Sequence, residues 1–234
     1  QKEPTRSDFT DRYMFSGDNS YPSSEKLYDY ELGYRYDTPK FSAGVNLYYM
    51  KYKDQLVPTG MVNDDSNALN TNVPDSYRRG VELSASWRAT GWFTVGANAT
   101  FSQNRIENYV DALKDSPTYG KELGDMTIAY SPDVIANAFL NFHHRGFEAV
   151  FHTQHVGKQY FTNNENDALS LDAYCVTNLN LAYTFRTRSA RSVRLGLLIN
   201  NLFNAEYESN GYGYSYMDTW SGPAPVRIDE AYYF

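Results

Sequence analysis

The sequence predicts an all-β fold, namely an antiparallel up-and-down transmembrane β-barrel. About eight segments alternate between apolar and polar residues, and short and long connections alternate between those segments. No apolar run approaches the roughly 20 residues that a membrane helix needs. With 22 Tyr and 13 Phe among 234 residues, the composition favours strands over helices. We expect a partial barrel of about eight strands, followed by a short terminal strand.

The first two predicted strands form a hairpin over residues 30–52. Successive side chains of a strand point to opposite faces, so alternation gives each arm one apolar and one polar face. The apolar sets are Tyr30, Leu32, Tyr34 and Tyr36 on the first arm, and Phe41, Ala43, Val45, Leu47 and Tyr49 on the second. The link 37–40 contains Pro39 and predicts a tight turn.

The same alternation recurs in six later segments. They place Leu, Val, Ile, Phe, Ala or Trp opposite mainly Asn, Ser, Thr, Glu, Arg or Gly. The segment 146–155 is more ambiguous, because Val150 shares the face of Glu148 and His152. The segments are 80–89, 92–103, 133–144, 146–155, 176–185 and 192–201. Each is close to the roughly 9 to 11 residues with which a tilted strand crosses a bilayer.

The connections separate into two lengths. The short links are 37–40, 89–92, 143–146 and 186–191, and the long polar stretches are 1–26, 53–76, 104–131 and 157–172. Because the two lengths alternate strictly, all short turns lie at one end of the meander and all long loops at the other. Outer-membrane barrels have this arrangement, with short periplasmic turns and long outer loops.

The composition of the two faces indicates which one meets lipid. A water-soluble barrel fills its interior with apolar side chains, whereas here the polar set of Asn, Ser, Thr, Gly, Glu and Arg suits a wet lumen. The apolar set has Tyr and Trp toward the strand ends, where interfacial aromatic belts lie. We therefore expect outer-membrane lipid to cover the apolar face, and a soluble β binding module is the alternative.

Charge and cysteine content narrow the choice of partners. The formal net charge of −7 argues against a nucleic-acid partner, because no basic stripe is available to neutralise phosphates. The single cysteine, Cys175, excludes an internal disulfide and lies in a strand-like run, which indicates a buried or lipid-facing thiol. The chain begins at Gln1 without a signal peptide, so we expect a processed product or a piece of a longer protein.

The four histidines do not form a predicted metal or catalytic site. His143 and His144 are expected in a tight turn, facing opposite ways into solvent. His152 and His155 are three residues apart on a strand and therefore lie on opposite faces, which makes them a poor metal pair. We predict no catalytic residue, no metal ligand, no cofactor and no enzymatic activity.

Three loop segments are candidates for ligand contact. The stretches 63–67 and 163–168 are rich in oxygen ligands that could hold Ca²⁺, but they lack the order of a calcium loop and are expected to be solvated tips. The run Gly211–Tyr216 could present aromatic faces to a sugar, a haem or an aromatic chelate. It could equally be a flexible outer loop with interfacial tyrosines, so the substrate-binding residues are unknown.

Several stretches resemble the C-terminal part of TonB-dependent outer-membrane receptors. The segment 199–214, INNLFNAEYESNGYGY, resembles the Asn-Leu-Phe-Asn-x-x-Tyr signature of that family and is the most specific of them. The others are 3–9, 28–36 and 77–102, the last of which is similar to an Arg-Gly-Val-Glu-Leu hairpin. Their order and spacing match over nearly the whole chain.

The resemblance implies a 22-stranded barrel with an N-terminal plug in the cell outer membrane. Such a barrel imports a scarce small molecule or oligosaccharide (ferric siderophore, haem, cobalamin or glycan) with energy supplied through TonB. We expect residues 1–234 to be its C-terminal part, without the plug, the TonB-contacting segment or the strand that usually follows a segment like Ala231–Phe234. The alternative is a complete small outer-membrane barrel that acts as an adhesin or structural anchor.

Overall fold

The computed structural model of the chain is dominated by antiparallel β-sheet. It describes residues 1–10, 21–62, 68–113, 116–187, 191–222 and 224–234. In chain order the elements are the helix α1 (Arg6–Thr10) and the strands β1 (Lys26–Asp37), β2 (Phe41–Val62), β3 (Ala68–Arg88), β4 (Phe93–Ile106), β5 (Met126–Thr127), β6 (Val134–His144), β7 (Phe147–Val156), β8 (Gln159–Tyr160), β9 (Ser170–Leu171), β10 (Tyr174–Phe185), β11 (Val193–Ile199), β12 (Gly211–Asp218) and β13 (Val226–Tyr233), with a 3₁₀ turn at Asp167–Leu169.

Eight long strands form the main sheet. Their spatial order is β1-β2-β3-β4-β6-β7-β10-β11, so each long strand pairs with its neighbour along the chain, and every pairing is antiparallel. This arrangement confirms the predicted all-β, up-and-down architecture of about eight strands. The short strand β5 joins β4, whereas β8–β9 and β12–β13 form two separate hairpins. The terminal strand β13 includes Asp229 and Glu230, which interrupt the alternation but are paired with β12.

Tight turns close the short-link end of the sheet. Between β6 and β7 the turn is formed by Arg145 and Gly146, both with positive φ, at 47° and 87°. Two successive positive φ values match the right-handed twist of a hairpin, and a Cβ at Gly146 would collide with the Thr184 carbonyl. His143 and His144, expected in this turn, lie instead at the end of β6, because the two-residue turn needs only Arg145 and Gly146.

At the opposite end the sheet extends well beyond the predicted strands. The stretch 53–76 was expected to be a long loop, but β2 and β3 are 22 and 21 residues long and remain paired up to Val62 and Ala68. The loop prediction is wrong there. The backbone of polar residues can continue the pairing of two strands when buried apolar residues nearby hold the strands in place. Val57 and Val73 do so by packing with Ile106, Tyr109 and Ile128 in a small buried cluster.

The strand register aligns the apolar residues on one face, which we call the apolar face. Leu32, Leu47, Val81, Phe101 and Val134 lie in one row across five strands. Their side chains are largely uncovered: Leu32 is 71% exposed and Leu47 is 46% exposed. Exposure of so many large apolar side chains is typical of a surface that contacts lipid or another protein, not of a soluble monomer.

Aromatic residues border this face at both ends. Trp92, Phe93 and Phe142 stack beside the short turns, with the Phe93 and Phe142 ring centroids 4.5 Å apart. At the long-loop end, Tyr49 stacks on Tyr77. Two aromatic belts around an apolar band match the two interfaces of a bilayer. No helix within the described residues has the length and apolarity needed to cross a membrane.

A charge placed on the apolar face should destabilise the barrel, whereas the same charge on the opposite face should not. We expect Leu83→Arg, in the full-length gene product that contains this sequence, to lower the free energy of unfolding by about 2–4 kcal/mol, because the guanidinium would lie in hydrocarbon. The neighbouring Ser84 lies on the opposite face of β3 and is exposed. Ser84→Arg is therefore the control, with an expected change below about 1 kcal/mol. Urea unfolding in lipid vesicles measures both, and equal losses would contradict the assignment of faces.

Candidate functional site

The face of the main sheet opposite the apolar face is polar. It carries an acidic group that consists of two glutamates and the asparagine between them. Asn46 pairs with Gly33 on β1 and with Glu82 on β3. Its side-chain nitrogen Nδ2 donates to Glu31 Oε2 at 3.3 Å and to Glu82 Oε2 at 3.2 Å. One amide thus bridges two carboxylates, which repel each other unless a cation lies near them.

No lysine, arginine or histidine among the described residues forms an ion pair with Glu31 or Glu82. The nearest arginine on this face along β3, Arg78, donates instead to Ser131 Oγ at 3.0 Å. A cavity of about 380 Å³ lies along this wall and is lined by Glu31, Asn46, Glu82 and Arg78 among others. The wall therefore offers an anionic surface with space in front of it for a cationic or hydrogen-bonding group.

A second polar and aromatic group lies on the hairpin β12–β13, at the long-loop end. One face of this hairpin packs against Phe161 and Leu169, which are fully buried. Gly213 allows the close approach, since a Cβ there would lie 2.8 Å from Leu169 Cδ2. The long link 157–172 is therefore a folded support for the hairpin.

The other face of the hairpin is a surface of aromatic rings around one carboxylate. Glu230 accepts hydrogen bonds from the hydroxyls of Tyr214, Tyr232 and Tyr216 at 2.7, 2.9 and 3.1 Å. Tyr212 stacks on Tyr232 with ring centroids 5.0 Å apart. Offset-stacked rings with exposed faces, beside a hydrogen-bond acceptor, can contact sugars, planar chelates or cations.

These hydrogen bonds shift the ionisation of the groups that form them. The tyrosine hydroxyls lower the pKa of Glu230 below its ordinary value of 4.5. The Glu230 carboxylate in turn raises the pKa values of Tyr214, Tyr216 and Tyr232 above 10.0. The contribution of Glu230 to stability is present above pH 4.5 and is lost as the pH falls through its lowered pKa. The contribution of the three tyrosines is present below pH 10 and is lost as the pH rises through their raised pKa values.

The Asn-Leu-Phe-Asn segment connects the main sheet to this hairpin. Asn201 adopts a positive φ of 50°, which Asn tolerates better than most residues. Its side chain accepts from the Ala205 amide at 2.8 Å and donates to the Ala205 carbonyl at 2.9 Å. The segment thus ends β11 with a fixed turn and directs the chain toward β12.

The structure tests the other residues that the sequence singled out. His152 and His155 lie on opposite faces of β7, as predicted from their spacing. Cys175 is exposed and pairs with His155 on the apolar face, so the alternative of a buried thiol is wrong, and contact of the thiol with lipid stays a prediction. The stretch 63–67 lies outside the described residues. Within the ranges that are described, no group of three or more His, Cys, Asp or Glu side chains has a geometry that would hold a metal ion.

The stretch 163–168 differs from the expected solvated tip. Asn163 is completely buried, and it donates to the Pro58 carbonyl and accepts from the Ala129 amide at 2.8 Å. Glu165 accepts from the Thr127 amide at 3.0 Å and pairs with Arg105. The oxygen-rich side chains therefore join three long links to one another, which composition alone could not indicate.

Sequence reasoning missed the two carboxylate groups described above. The Glu31–Asn46–Glu82 bridge depends on the registers of β1–β2 and β2–β3, and the Glu230 network depends on the pairing of Tyr214 with Glu230. The signal in the sequence that could have located both groups is the presence of polar side chains at positions that pair across neighbouring predicted strands.

The chain is similar to known proteins in both sequence and fold. The family model "TonB dependent receptor-like, beta-barrel" matches residues 5–202. The pesticin receptor of Yersinia pestis is 24% identical over 190 residues, covering 81% of this chain and 26% of the receptor. This chain thus spans about a quarter of the length of that curated relative.

Two solved structures show the same fold. The ferric yersiniabactin uptake receptor FyuA from Yersinia pestis superposes with a TM-score of 0.59 at 21% identity, over 88% of this chain and 28% of FyuA. The copper transporter OprC superposes with a TM-score of 0.58 at 22% identity, over 80% of this chain and 26% of OprC. At these identities the likeness concerns the fold and not the ligand.

Removing the Glu230 carboxylate should lower the pKa values of the tyrosines that it bonds. We expect Glu230→Gln to move the ionisation of Tyr214, Tyr216 and Tyr232 toward the ordinary value of 10.0, because a neutral amide no longer disfavours the phenolate. Difference absorbance during alkaline titration of the full-length product measures this shift. The control is Asp229→Asn, since Asp229 bonds Ser215 on the other face of the hairpin. Indistinguishable titrations of the two variants would contradict the network.

Proposed function

Because the chain belongs to the TonB-dependent receptor-like β-barrel family, we propose that it supplies barrel wall and outer loops to an importer of a scarce ligand. The family consists of outer-membrane β-barrel receptors and not of enzymes. Family membership therefore confirms the predicted outer-membrane location and the prediction that the chain is not an enzyme. The transported ligand and the energy coupling are parts of the proposal.

We also propose that this chain is one part of a larger receptor. Residues 1–234 would be the C-terminal part of a barrel whose other strands, plug and closing strand lie elsewhere in the full-length protein. Two observations support this. In the described sheet, β1 and β11 each have a neighbour on one side only. Unpaired backbone groups at such edges cannot remain in hydrocarbon, so further strands are needed to pair with them.

The ligand would enter from the long-loop end. The observation that best supports import is the aromatic face of the β12–β13 hairpin, held at that end by Phe161 and Leu169. Ferric siderophores, haem, cobalamin and oligosaccharides all offer planar groups, rings or hydroxyls that such a face can contact. The polar face of the sheet would then line the route toward the periplasm.

The Glu31–Asn46–Glu82 group would hold the plug. Two carboxylates that share one amide are stabilised by a cationic side chain between them. Arg35 lines the same cavity as Glu31 and Glu82, but it forms its ion pair with Asp37. A lysine or arginine of the plug could pair with both carboxylates. TonB would act on the plug from the periplasm and weaken this contact to open the route.

Transport is tested by deleting the gene and supplying each candidate ligand in turn. We expect the deletion strain to lose uptake of one of four supplied nutrients, namely ferric siderophores, haem, cobalamin or oligosaccharides. Re-expression should restore that uptake, and an uncoupler of the inner-membrane proton gradient should abolish it. Unchanged uptake of all four, together with loss of surface attachment, would contradict import and favour an adhesin or anchor.

The role of the acidic group is tested by comparing two glutamates on the polar face. Glu82→Gln in the full-length product should weaken plug retention, because the neutral amide cannot pair with the proposed cationic side chain of the plug. Breaking such a pair, once the plug covers it, costs up to a few kcal/mol. We expect passive influx of a large antibiotic to rise about threefold or more. Glu148 is the matched control, since it already pairs with Arg194 at 2.7 Å within this chain. Equal influx for Glu82→Gln and Glu148→Gln would contradict the plug contact.

A further inference from the structure

We propose that the apolar face carries, at its long-loop end, a binding site for the phosphate group of an outer-leaflet glycolipid, with Arg79 at its centre. The site is separate from the polar face and from the hairpin discussed above. It occupies the outward side of β1–β4, where the apolar band ends.

The register of β1–β4 places this site at the edge of the band. The last fully apolar row is Leu32, Leu47, Val81 and Phe101. The next rows on the same face are Tyr30, Tyr49, Arg79 and Gln103, and then Tyr28, Lys51, Tyr77 and Arg105. Tyrosines are enriched at the level of lipid headgroups, so Arg79 lies at the depth where headgroup phosphates begin.

The Arg79 side chain is held in place with part of its hydrogen-bonding capacity free. Its Nε and Nη2 atoms donate to Gln103 Oε1 at 2.8 and 2.6 Å, and its guanidinium carbon lies 5.2 Å from the Tyr77 ring centroid. A guanidinium has five N–H donors, so three remain for another acceptor. In the described part of the chain no carboxylate forms an ion pair with Arg79. A planar donor fork of this kind matches a phosphate group.

The charges around Arg79 favour an anion. Lys26, Lys51 and Lys53 lie on the same face in the adjoining rows. Lys51 pairs with Asp75 at 3.0 Å and with Glu107, and Lys53 shares Asp75. Arg105 lies in the same row and pairs with Glu165, so five cations face three carboxylates here, although the chain as a whole has a net charge of −7. This local surplus is complementary to the negative charge of a phosphorylated lipid.

A glycolipid fits this surface better than a phospholipid does. The long loops of an outer-membrane barrel lie on the exterior side, so this end of the apolar face meets the outer leaflet. Beside Arg79, the row contains Tyr30, Tyr49 and the amide of Gln103. Tyrosine rings can stack on sugar rings, and the hydroxyl and amide groups can bond sugar hydroxyls.

The site is tested by measuring lipid binding to the full-length product by native mass spectrometry in a neutral detergent. The lipids are a diphosphorylated disaccharide glycolipid, its dephosphorylated form and phosphatidylglycerol. We expect saturable binding of the first, with about tenfold or weaker affinity for the other two. Arg79→Gln should weaken binding of the phosphorylated glycolipid about fivefold, the effect of roughly 1 kcal/mol for one cation at a lipid surface.

The control is the preceding residue. Arg78 faces the polar side of β3 and bonds Ser131, so Arg78→Gln removes the same charge without reaching the lipid. Arg79→Lys, which keeps the charge but not the fork, should fall between wild type and Arg79→Gln and shows that the variants fold. Equal losses for Arg78→Gln and Arg79→Gln would overturn the proposal. So would equal binding of the dephosphorylated glycolipid or of phosphatidylglycerol.

Discussion

The antiparallel hydrogen-bonded ladder between neighbouring strands is the constraint on which the rest of this structure depends. In hydrocarbon no water is available to backbone amides and carbonyls, so each strand must satisfy its groups with its neighbours. Once the ladder is in register, alternation assigns every side chain to one of two faces. The apolar face, the polar face and the group of cations around Arg79 all follow from that assignment.

Register also brings together side chains that are far apart in the chain. Glu31 and Glu82 approach each other only because Asn46 lies between them on β2. Arg78 and Arg79 are adjacent in sequence, but one bonds Ser131 on the polar side and the other bonds Gln103 on the apolar side. A shift of one residue would exchange the faces and place charges in lipid, so the register is strongly specified.

The long links behave as folded structure and not as free loops. Two small hydrophobic clusters, one around Val57 and Ile106 and the other around Phe161 and Leu169, hold them together. Buried Asn163 forms hydrogen bonds with the backbone of two other links and so connects three long links to one another. The aromatic face of the β12–β13 hairpin, which we propose contacts the ligand, gains a fixed position from this support, and a fixed position lowers the ordering cost of binding.

The sequence by itself determined the fold class, because a period of two and the segregation of link lengths are properties of the chain. It also determined the family resemblance through segments such as 199–214, and the opposite orientation of His152 and His155. It did not determine where the strands end or which polar residues meet. The extension of β2 and β3 to Val62 and Ala68 depends on the burial of Val57 and Val73 against residues from other links. The three tyrosine hydroxyls at Glu230 likewise depend on the pairing of β12 with β13. Only the tertiary structure determines such contacts. The residues that meet are separated in the sequence by distances that no repeating pattern of the chain predicts.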